Sequence, residues 1–383
     1  MKLQEPPIAL PEVGATAVYF ASLIAGLEPV VADELAERLP GARVLGLLRG
    51  RAFFAHAGDP SDTLGLMTVE NIFGYVGQIE GIEPTEDGLR HIESAMAELD
   101  LGPALALHRS LHGALARPSF RITAARAGEH AFISQQVAAA AGAGVVERYG
   151  WKVDLEGYDL DVRVYVTQDV ALVGLRLSPE ALHRRARVAH GVASLNPTVA
   201  HAMCRLCRPT AGEVFVDPMC GAGTILIERA RFDPARAGLL VGGDLFEDPL
   251  HLARQNLSAQ GVRATLVRWD ARKLPLARDC VDKIACNLPW GRRIGSHARN
   301  RHLYPAFMRH LASVLRPGGV AALLTQEKRL ITDLIARHSW LELEEHYPLS
   351  VSGLHPTLYL VRKMPPSSDN RHPTSDIRLP TSD

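Results

Sequence analysis

VFVDPMCGAGTILIERA, residues 214–230, decides the fold: an apolar run ends on an acid, glycines follow, and a helical pattern begins. Gly221 and Gly223 let a backbone come close to a ligand. A dinucleotide fingerprint needs a third glycine at position 226, where Leu226 stands, and no Asp-Pro between strand and glycines, so NAD is disfavoured. Working outward, EVFVD, GLLVGGD, RATLVRW, VDKIACN and GVAALLT are short apolar runs between Glu213 and Gln326. Each but the last is followed by a turn and a helix-like segment before the next run. Strands alternating with helices imply a parallel sheet covered on both faces, with its site at the C-terminal strand ends.

Those ends carry Asp217, Asp244, Asp270 and Asn287. Asp217 is placed to receive a cationic amino group, Asp244 a pair of ribose hydroxyls, and Asp270, followed by Ala271, an adenine amino group. Each acid alone is as well explained as a helix cap; three in succession at three strand ends point to a bound nucleoside. The fourth run ends in Asn287-Leu288-Pro289-Trp290. An amide oxygen and the carbonyl at the third position can accept both N–H bonds of an exocyclic amine, which localises its lone pair for methylation. The ring at position four stacks on a base, and the proline stiffens the turn. The other reading of the segment is an ordinary turn with a buried tryptophan.

Upstream the pattern differs. TAVYFASL, GLEPVVADELAERL and RAFFAHA read as strand, helix, strand, and DTLGLMTVENIFGYVGQIE continues them. From Ser119, SFRITAARA, a helix, LDVRVYV and VALVGLRL form a mixed, partly antiparallel α+β module. LELEEHYPLS and TLYLVRK pair antiparallel near the end of the chain. The final MPPSSDNRHPTSDIRLPTSD is poor in large apolar residues and reads as a disordered tail.

The composition, 47% hydrophobic and 22% charged over 383 residues, is that of a globular chain of two or three domains. No apolar run reaches roughly 18 residues and no secretion signal opens the chain, so a cytoplasmic protein without a membrane span is expected. Five cysteines without disulfide-framework spacing fit a reducing compartment. The 42 basic and 42 acidic residues balance, yet Leu182–Arg208 holds five arginines and Lys283–Gln326 seven lysines and arginines, both without an acid. Such stretches face phosphate or are solvated faces balanced elsewhere. His201, Cys204 and Cys207 share a helical face, but a second ligand pair is missing and no metal is expected. Cys220 has no adjacent base to activate it.

DPMCGAGTILIE and NLPWG resemble the S-adenosylmethionine motifs of Rossmann-type amino-group methyltransferases. LHRRARVAHGVASLNPTVAHAMCRL is similar to the linker of THUMP-domain RNA guanine-N2 methyltransferases, and SFRITAARAGEHAFISQQVAAAAGAGVV with VDLEGYDLDVRVYV is similar to a THUMP domain. The likeness runs along nearly the whole chain to the tail, nearest to the tRNA enzymes that modify the sixth nucleotide of the acceptor stem. It implies an α/β chain: a ferredoxin-like N-terminal domain over 1–70, THUMP over 71–180, a Rossmann-fold methyltransferase domain with its linker over 181–364, and the tail from 365 to 383. It implies S-adenosylmethionine bordered by Asn196, Pro197 and Thr198 and held by Asp217, Cys220, Gly221, Ala222, Gly223, Asp244, Asp270, Ala271 and Asn287. Asn287, Pro289 and Trp290 hold a flipped guanine, and Arg184, Arg185, Arg292 and Arg293 meet tRNA phosphate. No protein partner is implied. The family pattern is Asp or Asn, Pro, Pro, then Tyr or Phe; Leu288 departs from it at the second position and Trp290 at the fourth. Rival readings are tRNA position 10 or a ribosomal guanine, a DNA adenine or protein glutamine amide, and a non-catalytic RNA-binding protein.

Overall fold

The computed structural model describes residues 16–185, 195–232, 238–291 and 296–365. They form two compact units: the described residues up to 185 with Asn196–Ala202 and Leu349–Leu354, and Met203–Pro348 with the described residues from His355.

The first unit opens with β1 (Ala17–Ser22), α1 (Glu28–Arg38), β2 (Arg43–Leu48), β3 (Arg51–His56) and β4 (Asn71–Ile79). Then come α2 (Glu86–Glu98), α3 (Gly102–His112), β5 (Ser119–Ala127) and α4 (Ser134–Tyr149). It closes with β6 (Lys152–Val153), β7 (Leu160–Thr167) and β8 (Val170–Arg176). All eight strands lie in one sheet, in the order β2-β3-β1-β4-β8-β7-β5-β6. The alternation in LDVRVYVT sets which face of β7 is inward: Val162, Val164 and Val166 join a core with Phe120, Ile92 and Val137. Burying each valine contributes about 1.5–3 kcal/mol, and an aspartate at Val164 would break the layer.

Two features depart from expectation. The strand β2 was not foreseen. The cut expected at residue 70 separates no sheet, because β4 pairs with β1 on one edge and β8 on the other. Pairing between strands a hundred residues apart leaves no trace in local composition.

After α5 (Pro197–Leu206) come β9 (Val214–Asp217), α6 (Thr224–Ala230), β10 (Leu239–Asp244), α7 (Glu247–Ala259) and β11 (Thr265–Arg268). β12 (Val281–Asn287), α8 (His297–Val314) and β13 (Leu315–Thr325) follow, then α9 (Lys328–Arg337), β14 (Leu341–Pro348) and β15 (Thr357–Lys363). The second sheet runs β11-β10-β9-β12-β13-β15-β14. Its first five strands are parallel, and β15 is antiparallel to both neighbours. The chain winds outward from β9 to β11, then returns to β12 on the other side of β9. That reversal opens a crevice at the carboxyl ends of β9 and β12, where open α/β sheets bind ligands. The helix expected after β11 is absent: a single 3-10 turn, Ala271–Lys273, stands there. Pro275, two residues beyond the turn, has no N–H to extend a helix.

Candidate active site

Asp217 closes β9 almost without exposure, at 1%. Its Oδ1 accepts the Met219 N–H at 3.3 Å. Burial pushes the carboxyl well above the usual carboxylate range, and the charge of Asp244 pushes it the same way. Beyond it the Gly223 N–H closes a turn on the Cys220 carbonyl at 2.8 Å. Gly221 and Gly223 have φ of +51° and +81°, the left-handed region. A Cβ at Gly223 would lie 3.3 Å from the Ala253 Cβ on α7, whereas one at Gly221 would enter open space. The Ala222 carbonyl accepts Asn256 Nδ2 at 3.1 Å. Burial raises the Cys220 thiol far above its ordinary value, which removes it as a nucleophile.

Asp244 ends β10 and ties the loop down. Its Oδ2 accepts the Gly221 N–H and its Oδ1 the Phe246 N–H, both at 3.1 Å. Each oxygen keeps a lone pair for another donor. Trp269, which the sequence did not single out, packs against Gly243, where a Cβ would come within 1.9 Å of its ring. Its Nε1 donates to the Pro218 carbonyl at 3.0 Å, joining the third strand end to the first. The Gly242-Gly243 pair before Asp244 was the available signal, since paired glycines in a strand mark close approach. Phe246 leaves an aromatic ring 63% exposed beside Asp244. Asp270 does act as a cap: it accepts the Arg272 N–H at 2.9 Å and the Arg272 guanidinium at 2.6 Å. That hydrogen bond holds its carboxyl below the usual range. Ala271 is buried beside it.

At the end of β12 the amide oxygen of Asn287 is shielded from water and has no hydrogen-bond partner among the described residues, and neither has Nε1 of Trp290. Leu288 turns inward, 1% exposed. The Pro289 carbonyl, expected to receive an amine of the substrate, accepts Asn300 Nδ2 at 2.8 Å and the Tyr304 hydroxyl at 2.7 Å. Two donors fill its two lone pairs, so it is spent within the protein. The Leu288 carbonyl accepts no hydrogen bond from the described residues. Asn300 and Tyr304 lie on α8 and escaped the sequence reading, because nothing local ties them to a loop 11 and 15 residues earlier.

The remaining expected residues are dispersed. Asn196 caps α5, its Oδ1 accepting the Thr198 N–H at 2.8 Å, with Pro197 at the first helical position. Both belong with Thr198 to the first unit. The hydroxyl of Thr198 is buried and has no partner among the described residues. Arg184 is exposed, while Arg185 donates to the Met67 carbonyl. Arg292, Arg293 and the tail from 366 lie outside the described residues. Cys204 and Cys207 point their thiols at the carbonyls of Ile225 and Ile284, and burial lifts the Cys207 thiol to about 12. Among the described residues no three metal-ligating side chains come together. The first unit adds an arginine cluster the sequence did not flag: Arg121 and Arg163 each 3.0 Å and Arg176 3.6 Å from Asp161. It borders a cavity of about 460 Å³, lined also by His108, His112 and Tyr158.

This geometry is that of a Rossmann-fold methyltransferase: acids at three strand ends, a glycine loop, and an amide at the topological switch point. A model described as an RMKL-like methyltransferase domain matches residues 184–353, and a THUMP domain model matches residues 104–176. The tRNA (guanine(6)-N2)-methyltransferase of Thermus thermophilus is 33% identical over 88% of this chain and 97% of its own length. The solved structure of TrmN from Thermus thermophilus superposes with a TM-score of 0.74 at 30% identity, covering 91% of this chain and all of that one. The tRNA (guanine(6)-N(2))-methyltransferase THUMP3 of Bos taurus is 35% identical over 65% of this chain. The chain spans about half, 52%, of that relative's length. The chain belongs to the THUMP-containing guanine-N2 methyltransferase family.

Proposed function

We propose that the chain transfers methyl from S-adenosylmethionine to the exocyclic N2 of a guanosine in tRNA, at the sixth nucleotide of the acceptor stem. The observation that carries this is the Asn287 amide oxygen, buried and without a partner among the described residues, at the end of β12 in the crevice beside β9. A desolvated acceptor without a partner is costly unless a ligand supplies the donor.

The donor's residues fit it. Asp217 is a buried carboxylate with a single backbone donor, suited to an ammonium. Gly221 borders open space where a backbone can meet a ligand. Asp244 has acceptor capacity left for ribose hydroxyls, and the Phe246 ring offers adenine a flat face. Asn196, Pro197, Thr198, Cys220, Ala222, Gly223, Asp270 and Ala271 complete the proposed border. Bound there, S-adenosylmethionine supplies an electrophilic methyl group.

On the substrate side, Asn287 Oδ1 accepts one N–H of the guanine amine and the Leu288 carbonyl the other. Holding both hydrogens draws the nitrogen out of conjugation and aims its lone pair at the methyl group. Trp290 stacks on the base and fixes its plane. The new N–CH₃ bond forms as the sulfonium S–CH₃ bond breaks, and the amine then releases one proton to solvent. No metal takes part in this reading.

Residues up to 180, whose described strands share one sheet, are proposed to grip the tRNA through backbone and shape, with Arg184, Arg185, Arg292 and Arg293 as phosphate contacts and the Asp161 arginine cluster contributing charge. Residues 181–364 carry the chemistry. Five unpaired cysteines support work in a reducing cytoplasm. None of the described helices is long and apolar enough to cross a membrane.

The test is transfer from methyl-labelled S-adenosylmethionine into unmodified tRNA transcripts, followed by nucleoside digestion and mapping. The expected product is N2-methylguanosine at the sixth nucleotide. Label in another nucleotide moves the address, and label only in ribosomal RNA, DNA or protein overturns the substrate.

A further inference from the structure

The loop Asn287–Gly291 is braced from behind by a hydrogen-bond network whose directions can be assigned without ambiguity. Tyr304 donates its hydroxyl proton to the Pro289 carbonyl at 2.7 Å, so the same oxygen must accept from Thr325 Oγ1, 2.7 Å away. Thr325 Oγ1 in turn accepts the Glu327 N–H at 2.9 Å. Asn300 spends one amide proton on the Pro289 carbonyl at 2.8 Å and the other on Glu327 Oε1 at 3.1 Å. Glu327 Oε2 lies 2.7 Å from His297 Nδ1. Tyr304 and Thr325 are fully buried, and Asn300 is 1% exposed.

One helix thus supplies both donors to the carbonyl, and residues at a strand end hold those donors in place. Asn300 and Tyr304 are four residues apart on one face of α8, Thr325 ends β13, the strand paired with β12, and Glu327 follows at the N-cap of α9. Gly291 closes the arrangement: its φ is +74°, and a Cβ there would lie 3.1 Å from Glu327 Oε1 and 2.9 Å from the His297 nitrogen. A burial role alone would need apolar groups, which pack as well and desolvate at less cost. Apart from Asn300 Oδ1, which finds no partner among the described residues, the buried polar groups here are paired around a single peptide oxygen, and such a network fixes the orientation of a peptide plane.

We propose that Asn300, Tyr304, Thr325 and Glu327 are positioning residues that lock the Pro289 peptide plane and thereby set the angle of Asn287 and Trp290 toward the substrate. None of them touches the base. The inference rests on the proposed methyl transfer for its kinetic consequence, but the locking itself is a property of the free protein.

The experiment reads both. The full chain is labelled with 5-fluorotryptophan, and the Trp290 resonance is assigned by Trp290→Phe. Wild type is compared with Tyr304→Phe, Asn300→Ala and Glu327→Gln. The Trp290 resonance is expected to be single and narrow in wild type, and to broaden or split in Tyr304→Phe and Asn300→Ala while the other three tryptophans stay put. Glu327→Gln keeps an acceptor for the Asn300 amide and is expected to keep the narrow line. In methyl transfer, the first two variants lose about tenfold to a hundredfold in kcat with affinity for S-adenosylmethionine unchanged, as small misplacements do, and Glu327→Gln restores most of it. A Trp290 line that stays narrow in Tyr304→Phe and Asn300→Ala overturns the proposal, whatever the activity. So does a lowered melting temperature with kcat intact below the transition, which would make the network a brace of the fold. Wild-type protein inactive on tRNA would sink the parent reading and leave the fluorine result to decide this one.

Discussion

The two sides of the crevice are prepared in opposite ways. On the side of β9, β10 and β11 the polar groups are already engaged: Asp244 binds two backbone N–H groups of its surroundings and Asp270 an arginine. On the β12 side the acceptor at Asn287 has no partner among the described residues, and the backbone beside it is tied down from behind. The first arrangement holds a loop in shape and leaves spare lone pairs for a ligand with many hydroxyls. On the proposed reading, the second holds one oxygen ready for one amine. A side that binds can share its acceptors; a side that must distort an amine cannot.

The largest effect expected from that contrast is at Asn287. Asn287→Ala should lower kcat by about a hundredfold to a thousandfold, the usual loss for one preorganised electrostatic contact. Affinity for S-adenosylmethionine, measured by calorimetry, should stay within about threefold on the same view of separate sides. An equal loss of both would merge the two sides into one.

Asp217 sharpens the comparison next, because it is the exception on its own side: buried, with one donor and a raised pKa. Asp217→Asn should weaken S-adenosylmethionine by about tenfold to a hundredfold, since a buried ammonium loses its charge partner. The same change should stabilise the free protein at neutral pH. The fold holds the Asp217 proton more tightly than the unfolded chain does. Its contribution to stability is therefore complete below the ordinary carboxylate range, near pH 4, and is lost as pH rises through the raised value. The gap in melting temperature between variant and wild type should open from about pH 4 upward, as scanning calorimetry in a pH series would show. A gap independent of pH would contradict it.

Gly223→Ala is expected to be milder. Its φ of +81° and the 3.3 Å approach to Ala253 make an alanine strained and tight, at a cost of about 1–2 kcal/mol by denaturant titration. Asp270→Asn should do least, because asparagine caps a helical turn as well as aspartate. Stability should hold, and S-adenosylmethionine affinity should move by no more than about threefold by calorimetry. A larger loss would give Asp270 the adenine contact its capping geometry does not require.

Much of the second unit was readable from the chain, because buried parallel strands write themselves as short apolar runs and their polar last residues mark the sheet edge. VDKIACN became β12 residue for residue. What escaped the sequence depends on partners far along the chain. Asn300 and Tyr304 meet Pro289, and Glu327 meets Asn300, only when α8 and β13 pack, and no spacing announces that. The Pro289 carbonyl was assigned to the substrate for the same reason: its donors were invisible. Trp269 shows itself only through the glycine it covers, and β4 joins what composition divided at residue 70.

The most direct test of the central claim uses two tRNA transcripts, one with guanosine and one with inosine at the sixth nucleotide, and wild-type protein beside Asn287→Ala. Inosine lacks only the exocyclic amine. The account predicts label in the guanosine transcript with wild type, none in the inosine transcript, and a loss of about a hundredfold or more with Asn287→Ala. Equal labelling of both transcripts, or full activity without the Asn287 amide, would contradict it.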